Sequence, residues 1–182
     1  GVLIGLAGVS KYGVCWDGDF FTFLNENRAA ILALELPVLE KVIARCWSIK
    51  AEVVAADERE SDLRRILNYG HTIGHAVEAA SGFSLDHGLA VAIGMVAANE
   101  LAVGKGMISR ETAGKMRQLI ADYGLPVEIP ASYDRRQIKD YLKTDKKTIG
   151  GRPFFVLPTE IGKVVVTDDV ADGLVDQVVG VK

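Results

Sequence analysis

One long apolar segment constrains the fold of this chain more than any other feature. From His87 to about Val103 nearly every residue is small or apolar, as in the run AVAIGMVA at 90–97. A helix that is hydrophobic all round must be buried on every side. The segment therefore predicts a central buried helix with other helices packed around it.

The flanking patterns are also mostly helical. Residues 24–57 are typical of helices, with Pro37 near the first turn of a second helix. We expect a further helix from about Ser61, as N-cap, to Ser81 and Gly82, and others between Ser109 and Gly124 and between Tyr133 and Leu142.

The end of the chain has a different character. Two short β-type runs, at 153–158 and 163–167, predict a small hairpin, and a last helix is expected after Asp169. The predicted fold class is mainly α, a multi-helix bundle with a small C-terminal β-hairpin, forming a single domain over residues 1–182.

Composition excludes several function classes. The chain has 182 residues, 49% of them hydrophobic and 25% charged, with a net charge of −3, which is typical of a globular cytoplasmic domain and gives no basic surface for nucleic acid. The apolar start is too short to span a bilayer, so no membrane or targeting segment is predicted. Cys15 and Cys46 are interpreted as reduced core or boundary residues, and Trp16, Trp47 and the phenylalanines as core.

All three histidines fall within a window of 17 residues, which indicates a functional cluster. On one continuous helix a polar stripe would form, because residues three, four and seven apart share a face. Its members are Arg64, Asn68, His71, His75 and Glu78.

Two metal-binding arrangements are open at this point. His71 and His75 could bind one ion as in zinc proteases, although Thr72 stands where that motif has its glutamate base. Alternatively, His71 and His87 meet across a helix-loop-helix turn and His75 faces the substrate. Either version needs a third donor, for which a carboxylate is expected. The non-functional alternative is a set of buried, hydrogen-bonded histidines.

The glycines and basic residues near this window are open to two interpretations each. Gly70 and Gly74 interrupt a helical pattern, which indicates close approach of either a ligand or a neighbouring helix. Four lysines are either solvated or grouped with Arg64 into an anion pocket. They are Lys11, Lys50 on a helix end, and Lys146 and Lys147 before Gly150.

Three segments carry a resemblance to a known family. They are KAEVVAADERE at 50–60, LNYGHTIGHAVE at 67–78 and HGLAVAIGM at 87–95. Together they resemble the C-terminal domain of 3-dehydroquinate synthase, and the resemblance extends over essentially the whole chain.

The resemblance implies a shikimate-pathway enzyme that converts 3-deoxy-D-arabino-heptulosonate 7-phosphate into 3-dehydroquinate and phosphate. It uses NAD and a divalent metal, zinc or cobalt, and the family is a homodimer. Transient oxidation of one alcohol by NAD acidifies the neighbouring C–H, so that phosphate leaves by elimination. Reduction, ring opening and an aldol-type closure follow.

The resemblance also assigns roles to individual residues. It implies that His71 and His87 are metal ligands, and that His75 and Asn68 lie at the phosphate side and help proton transfer. Lys50 and Arg64 would face the substrate carboxylate. Substrate-pocket lysines of the family match Lys11 and Lys146.

The chain departs from the family pattern at two positions. The family pattern LAEVIKYG is here LAGVSKYG at 6–13, so Gly8 replaces the glutamate that serves as third metal ligand. Leu89 stands where the family usually has glutamate after His-Gly, which removes a hydrogen bond around the metal. A weaker metal affinity is expected unless another donor replaces the missing carboxylate.

A further departure concerns NAD. The family has an N-terminal nucleotide-binding domain with a glycine-rich phosphate turn, and nothing before Gly5 supplies one. We therefore expect no NAD site in this chain and no turnover by the chain alone. The alternatives are another sugar-phosphate cyclase, or a non-catalytic helical binding module.

Overall fold

A computed structural model of the chain describes residues 2–58, 63–144, 148–149 and 152–181. The helices are α1 (Val2–Cys15), α2 (Gly18–Glu26), α3 (Arg28–Leu32), α4 (Leu36–Asp57), a 3-10 helix (Leu63–Asn68), α5 (His71–Ala80), α6 (His87–Gly104), α7 (Arg110–Asp122), α8 (Arg135–Thr144) and α9 (Asp172–Val179). The strands are β1 (Thr148–Ile149), β2 (Arg152–Pro153), β3 (Phe155–Glu160) and β4 (Lys163–Thr167). The predicted fold class, mainly α with a small C-terminal hairpin, is confirmed.

Helix α6 is the centre of the bundle, as its apolar sequence predicts. It packs against α1, α5, α7, α9 and β3. The helix is long and apolar enough to cross a membrane, but 72% of its 18 residues are buried inside the fold. Burial by the surrounding elements accounts for its hydrophobicity.

Several helix starts follow the expected capping chemistry. The side chain of Ser109 accepts a hydrogen bond from the backbone N–H of Thr112 and caps α7, as predicted. Pro37 lies in the first turn of α4, where its missing N–H costs no helical hydrogen bond. These signals are local, so the sequence alone was sufficient to place them.

The helix predicted from 61 to 82 is wrong as one continuous element. A 3-10 helix ends at Asn68, a turn occupies Tyr69 and Gly70, and α5 begins at His71. Gly70 has a φ of +81°, in the left-handed region that favours glycine, and its carbonyl begins α5 by accepting from the N–H of Gly74. The predicted N-cap Ser61 lies outside the described residues.

The predicted hairpin is present as β3 and β4. The strands are antiparallel, with Phe155 opposite Thr167 and an irregularity between Pro158 and Glu160. Residues 155–157 are buried, and β3 packs on α6. A second, two-residue ladder of β1 with β2 was not predicted.

Two aromatic residues contradict the prediction that the aromatic side chains lie in the core. Trp47 on α4 is 73% exposed and Phe83, in the loop before α6, is 74% exposed. The core face of α4 is formed by Val42, Ile49 and Val53 instead. Helical periodicity therefore places Trp47 on the outer side, whatever its hydrophobicity.

The cysteine interpretation is confirmed. Cys15 is buried, Cys46 is partly buried, and both are free thiols.

Candidate metal and substrate site

The three histidines converge on one side of the antiparallel helices α5 and α6. Ring centroids of His71 and His75 lie 5.4 Å apart, those of His71 and His87 5.4 Å, and those of His75 and His87 5.3 Å. The loop at 81–86 reverses the chain direction, so that His87, the first residue of α6, lies beside the end of α5 and contacts Glu78 there. Its ring extends toward those of His75 and His71. The clustering expected from the sequence is therefore real in three dimensions.

Glycine contacts hold α5 and α6 close enough for this convergence. A Cβ built on Gly94 would lie 1.9 Å from the carbonyl oxygen of Gly70 and 2.6 Å from the nitrogen of Gly74. A Cβ on Gly74 would lie 2.9 Å from the carbonyl oxygen of Ala90. Of the two interpretations of Gly70 and Gly74, helix packing is the one that these contacts support. The role of Gly94 was missed, although its place in a small-residue run was a signal.

A backbone contact fixes the orientation of the His71 ring. Its Nδ1 lies 3.1 Å from the carbonyl oxygen of Tyr69, which can accept a hydrogen bond from a protonated Nδ1. That tautomer makes Nε2 the lone-pair nitrogen, which is the usual arrangement in a metal-binding histidine. Tyr69 is itself buried, and its hydroxyl donates to Oδ1 of Asn99 at 2.5 Å.

Glu78 adds a carboxylate to the histidine cluster. Its Oε2 lies 3.0 Å from Nδ1 of His87. Ligand atoms of His75, Glu78 and His87 all lie within 4.8 Å of one another. The loop contact between Glu78 and His87 could not be inferred from helical spacing, although Glu78 belonged to the predicted polar stripe.

The side chains at this point suit a divalent metal ion. Two imidazoles bound to one tetrahedral zinc through nitrogen at ~2.0–2.1 Å place their ring centroids about 5 Å apart. The observed spacings of 5.3–5.4 Å are close to that value. Imidazole with carboxylate is also a donor set that zinc and cobalt accept.

Lys11 lies on the same side of the fold as the histidine segment. Its Nζ donates a hydrogen bond at 3.1 Å to the carbonyl oxygen of Leu67, the residue before Asn68. Asn68 is half-buried and ends the 3-10 helix. Two residues that were predicted to bind substrate thus lie next to the turn that leads into His71.

Arg64 and Lys50 belong to a neighbouring part of the surface. The backbone N–H of Arg64 donates to Oδ1 of Asp57 at 2.8 Å, and the exposed guanidinium Nε of Arg64 lies 3.7 Å from Oδ2 of Asp57.

Lys50 is exposed within α4, not at a helix end as expected, and lines an open hollow with Trp47 and Glu58. Helix α4 packs on the 3-10 helix, which links this surface to Asn68. Lys146 and Lys147 lie outside the described residues.

Gly8 lies in α1, one turn before Lys11, and is half-buried. A Cβ built on Gly8 would meet no atom within 4 Å. The glycine is therefore not required for packing among the described residues, and the position has room for a longer side chain. Leu89 is half-buried and packs against the core, so a hydrophobic contact replaces the polar group expected there.

Residues 5–148 match the family described as 3-dehydroquinate synthase C-terminal. The chain belongs to this family. Gly8, Lys11 and the three histidines all lie within the matched residues.

Curated relatives share this assignment. The chain is 47% identical over 169 residues to the 3-dehydroquinate synthase of Desulforamulus reducens, covering 92% of this chain and 47% of that protein. It is 42% identical over 176 residues to the enzyme of Shewanella frigidimarina, covering 96% and 49%. The chain thus spans about half the length of the curated relatives it matches.

Solved structures of two synthases have the same fold. A 2-epi-5-epi-valiolone synthase from Streptomyces hygroscopicus, with NAD+ and Zn2+ bound, gives a TM-score of 0.85 at 24% identity, covering 97% of this chain and 49% of that one. A 2-deoxy-scyllo-inosose synthase complexed with carbaglucose-6-phosphate, NAD+ and Co2+ gives 0.77 at 24% identity, covering 98% and 51%. At this identity the likeness establishes the fold.

Proposed function

We propose that this chain is the metal- and substrate-binding half of a 3-dehydroquinate synthase. The whole enzyme would convert 3-deoxy-D-arabino-heptulosonate 7-phosphate into 3-dehydroquinate and phosphate in the cytoplasm. The convergence of His71, His75 and His87, in a chain of this family, is the observation that carries the proposal.

Within this proposal, His71 and His87 hold a zinc or cobalt ion. The ion, when bound, polarises substrate hydroxyl groups as a Lewis acid. The hydrogen bond between His71 and the carbonyl of Tyr69 supports this role, because it orients one ring nitrogen toward the cluster.

His75 and Asn68 act on the substrate side of the cluster. The imidazole of His75 moves a proton at the phosphate side, and Asn68 hydrogen-bonds to the substrate there. Their placement supports these roles, because His75 lies one turn after His71 on α5 and Asn68 lies just before the Gly70 turn. Histidine is suited to proton transfer because its ordinary pKa is close to neutral pH.

The basic residues form the anion-binding part of the proposed site. Lys11 supplies positive charge beside Asn68, while Arg64 and Lys50 bind the substrate carboxylate from the 3-10 helix and α4. Lys146 is proposed as a further substrate lysine. A planar guanidinium binds a carboxylate in bidentate fashion, and Arg64 is exposed enough to exchange Asp57 for a ligand.

NAD would be bound by the half of the enzyme that corresponds to the rest of the relatives' length. Two of the solved structures with this fold hold NAD+ together with Zn2+ or Co2+, which supports the same pair of cofactors here. We also propose that the assembled enzyme is a homodimer, as expected for the family.

A second candidate is another sugar-phosphate cyclase, since two such enzymes share the fold. The curated relatives at 40–47% identity favour the dehydroquinate reaction over this alternative. The two candidates differ in whether the substrate carries a carboxylate.

A hybrid enzyme tests the proposal. This chain would replace the corresponding half of the Desulforamulus reducens enzyme, and phosphate release would be measured with the heptulosonate phosphate and with glucose 6-phosphate. We expect release from the carboxylated substrate, and its loss in His75→Ala. Release from glucose 6-phosphate alone would support the second candidate. A folded, NAD-binding hybrid that releases no phosphate from either would contradict an enzymatic function.

A further inference from the structure

The candidate metal site has no carboxylate at Gly8, where the family has its glutamate ligand, but it has one at Glu78. Gly8 has no side chain to offer to a metal, although space is open around it. Glu78 lies at the other edge of the histidine cluster and contacts His87 directly. We propose that Glu78 is the carboxylate ligand of the metal in this chain, in place of the one that Gly8 lacks. This inference rests on the proposed function.

The position of Glu78 on α5 is the first argument. It follows His75 by three residues and His71 by seven, so all three side chains project from the same face of one helix. The Glu78 side chain is 21% exposed, so its carboxylate is largely shielded from solvent. A carboxylate in that environment, beside the imidazoles of His75 and His87, favours a cation among them.

The distances are the second argument. Tetrahedral zinc with ligand bonds of ~2.0–2.2 Å brings its donor atoms to about 3.3–3.6 Å from one another. Oε2 of Glu78 already lies 3.0 Å from Nδ1 of His87, one of the two proposed histidine ligands, and both residues have a ligand atom within 4.8 Å of one on His75. Side-chain rotation of this size needs no movement of α5 or α6.

The bonding of other nearby carboxylates is the third argument. Glu52 accepts hydrogen bonds from Trp16 and Arg45, and these bonds lower the pKa of its carboxyl group. Asp57 accepts from the backbone of Arg64. Glu78, in contrast, has its carboxylate directed at His87 in the histidine cluster.

Two roles of Glu78 must be separated by experiment. As a ligand, the carboxylate binds the metal through oxygen. As an orienting group, it would only accept a hydrogen bond from Nδ1 of His87 while Nε2 bound the metal, and removing such a partner lowers metal affinity by about 10–100-fold. A loss of affinity alone does not distinguish the two roles, so the test also asks whether the set of ligand atoms around the bound ion changes.

Calorimetric titration of the chain with Co2+ alone, followed by visible absorption of the bound ion, makes this test. We expect Glu78→Gln to weaken binding by about 100-fold and to change the absorption spectrum. Glu40→Gln, at an exposed position on α4, is the matched control and should bind like the parent chain.

The outcomes separate this inference from the proposed function. Tight binding by Glu78→Gln, with binding lost in His87→Ala, would overturn the role of Glu78 and leave the metal site intact. Weakened binding in Glu78→Gln with an unchanged absorption spectrum of the bound Co2+ would show that Glu78 orients His87 without binding the ion, which also overturns the ligand role. A parent chain that binds no Co2+ would overturn both the metal site and this inference. Circular dichroism of each variant would confirm that the helices are retained.

Discussion

Gly94 of α6 lies so close to Gly70 that a Cβ on Gly94 would be 1.9 Å from the carbonyl oxygen of Gly70. Gly70 is the turn residue that begins α5, and His71 follows it directly. The backbones of the two helices that carry the histidines are therefore in direct contact. This contact sets the distance between His71 and His87.

Gly94→Ala tests this contact. The added methyl group meets backbone atoms, which cannot rotate away, so α5 and α6 must separate. Overpacking of this kind costs about 1–3 kcal/mol, and we expect a value near the upper end. Urea denaturation measures the loss of unfolding free energy.

Gly114→Ala is the matched control for that variant. Gly114 lies exposed in α7, where a Cβ would meet no atom within 4 Å. Alanine at such a position should stabilise the helix by about 0.5–1 kcal/mol. Equal stability of the two alanine variants would contradict the packing role of Gly94.

The buried pair of Tyr69 and Asn99 offers a second test. The Tyr69 hydroxyl donates to Oδ1 of Asn99, and Nδ2 of Asn99 has no partner among the described residues. Tyr69→Phe leaves the Asn99 oxygen without its donor, so we expect a loss of about 1–3 kcal/mol. Tyr69→Phe with Asn99→Leu should cost less than the sum of the single changes, because no polar group is then left unpaired. Additive losses in urea denaturation would argue against this coupling.

Stability should fall at alkaline pH. Burial raises the pKa of the Cys15 thiol from 9.0 to about 12 and that of the Tyr123 hydroxyl from 10.0 to about 12. Above about pH 9 the unfolded chain therefore binds fewer protons than the folded chain, and the free energy of unfolding decreases as pH rises toward 12. Below pH 9 the stabilising contribution of these two groups to the free energy of unfolding is fully present.

Urea midpoints at neutral pH and at about pH 10.5 measure this effect, since each raised pKa unit corresponds to about 1.4 kcal/mol. We expect Cys15→Ala to reduce the alkaline loss. A midpoint that does not change with pH in the parent chain would contradict the burial of these groups.

The parts of the fold that were predicted correctly depend on local patterns. The central helix α6 is apolar on every side, and α7 begins at a serine that caps it. The hairpin follows from β-branched residues in strands of the expected length. In each case the pattern that predicts the element lies within the element or directly next to it in the sequence.

The break at Gly70 shows where local patterns fail. The polar residues at 64, 68, 71, 75 and 78 keep helical spacing through a turn that is not helical. That turn depends on a left-handed φ at Gly70 and on its contact with Gly94, which is distant in sequence. Periodicity carries no information about either.

The same distinction applies to the candidate site. Clustering of the histidines was visible in the sequence because spacing places His71 and His75 on one face. The contacts of Glu78 with His87, of His71 with the Tyr69 carbonyl, and of Lys11 with the Leu67 carbonyl were missed. The reversal of the chain after α5 creates the first contact, the turn at Gly70 creates the second, and the packing of α1 on the 3-10 helix creates the third.

Metal binding by this chain is the central claim. Calorimetric titration with Zn2+ of the parent chain, His71→Ala and His87→Ala tests it most directly. We expect one ion per chain in the parent, and affinity at least about 100-fold weaker in each variant because an imidazole ligand is lost. A parent chain that binds no Zn2+, or variants that bind as tightly as the parent, would contradict the claim that these histidines form a metal site.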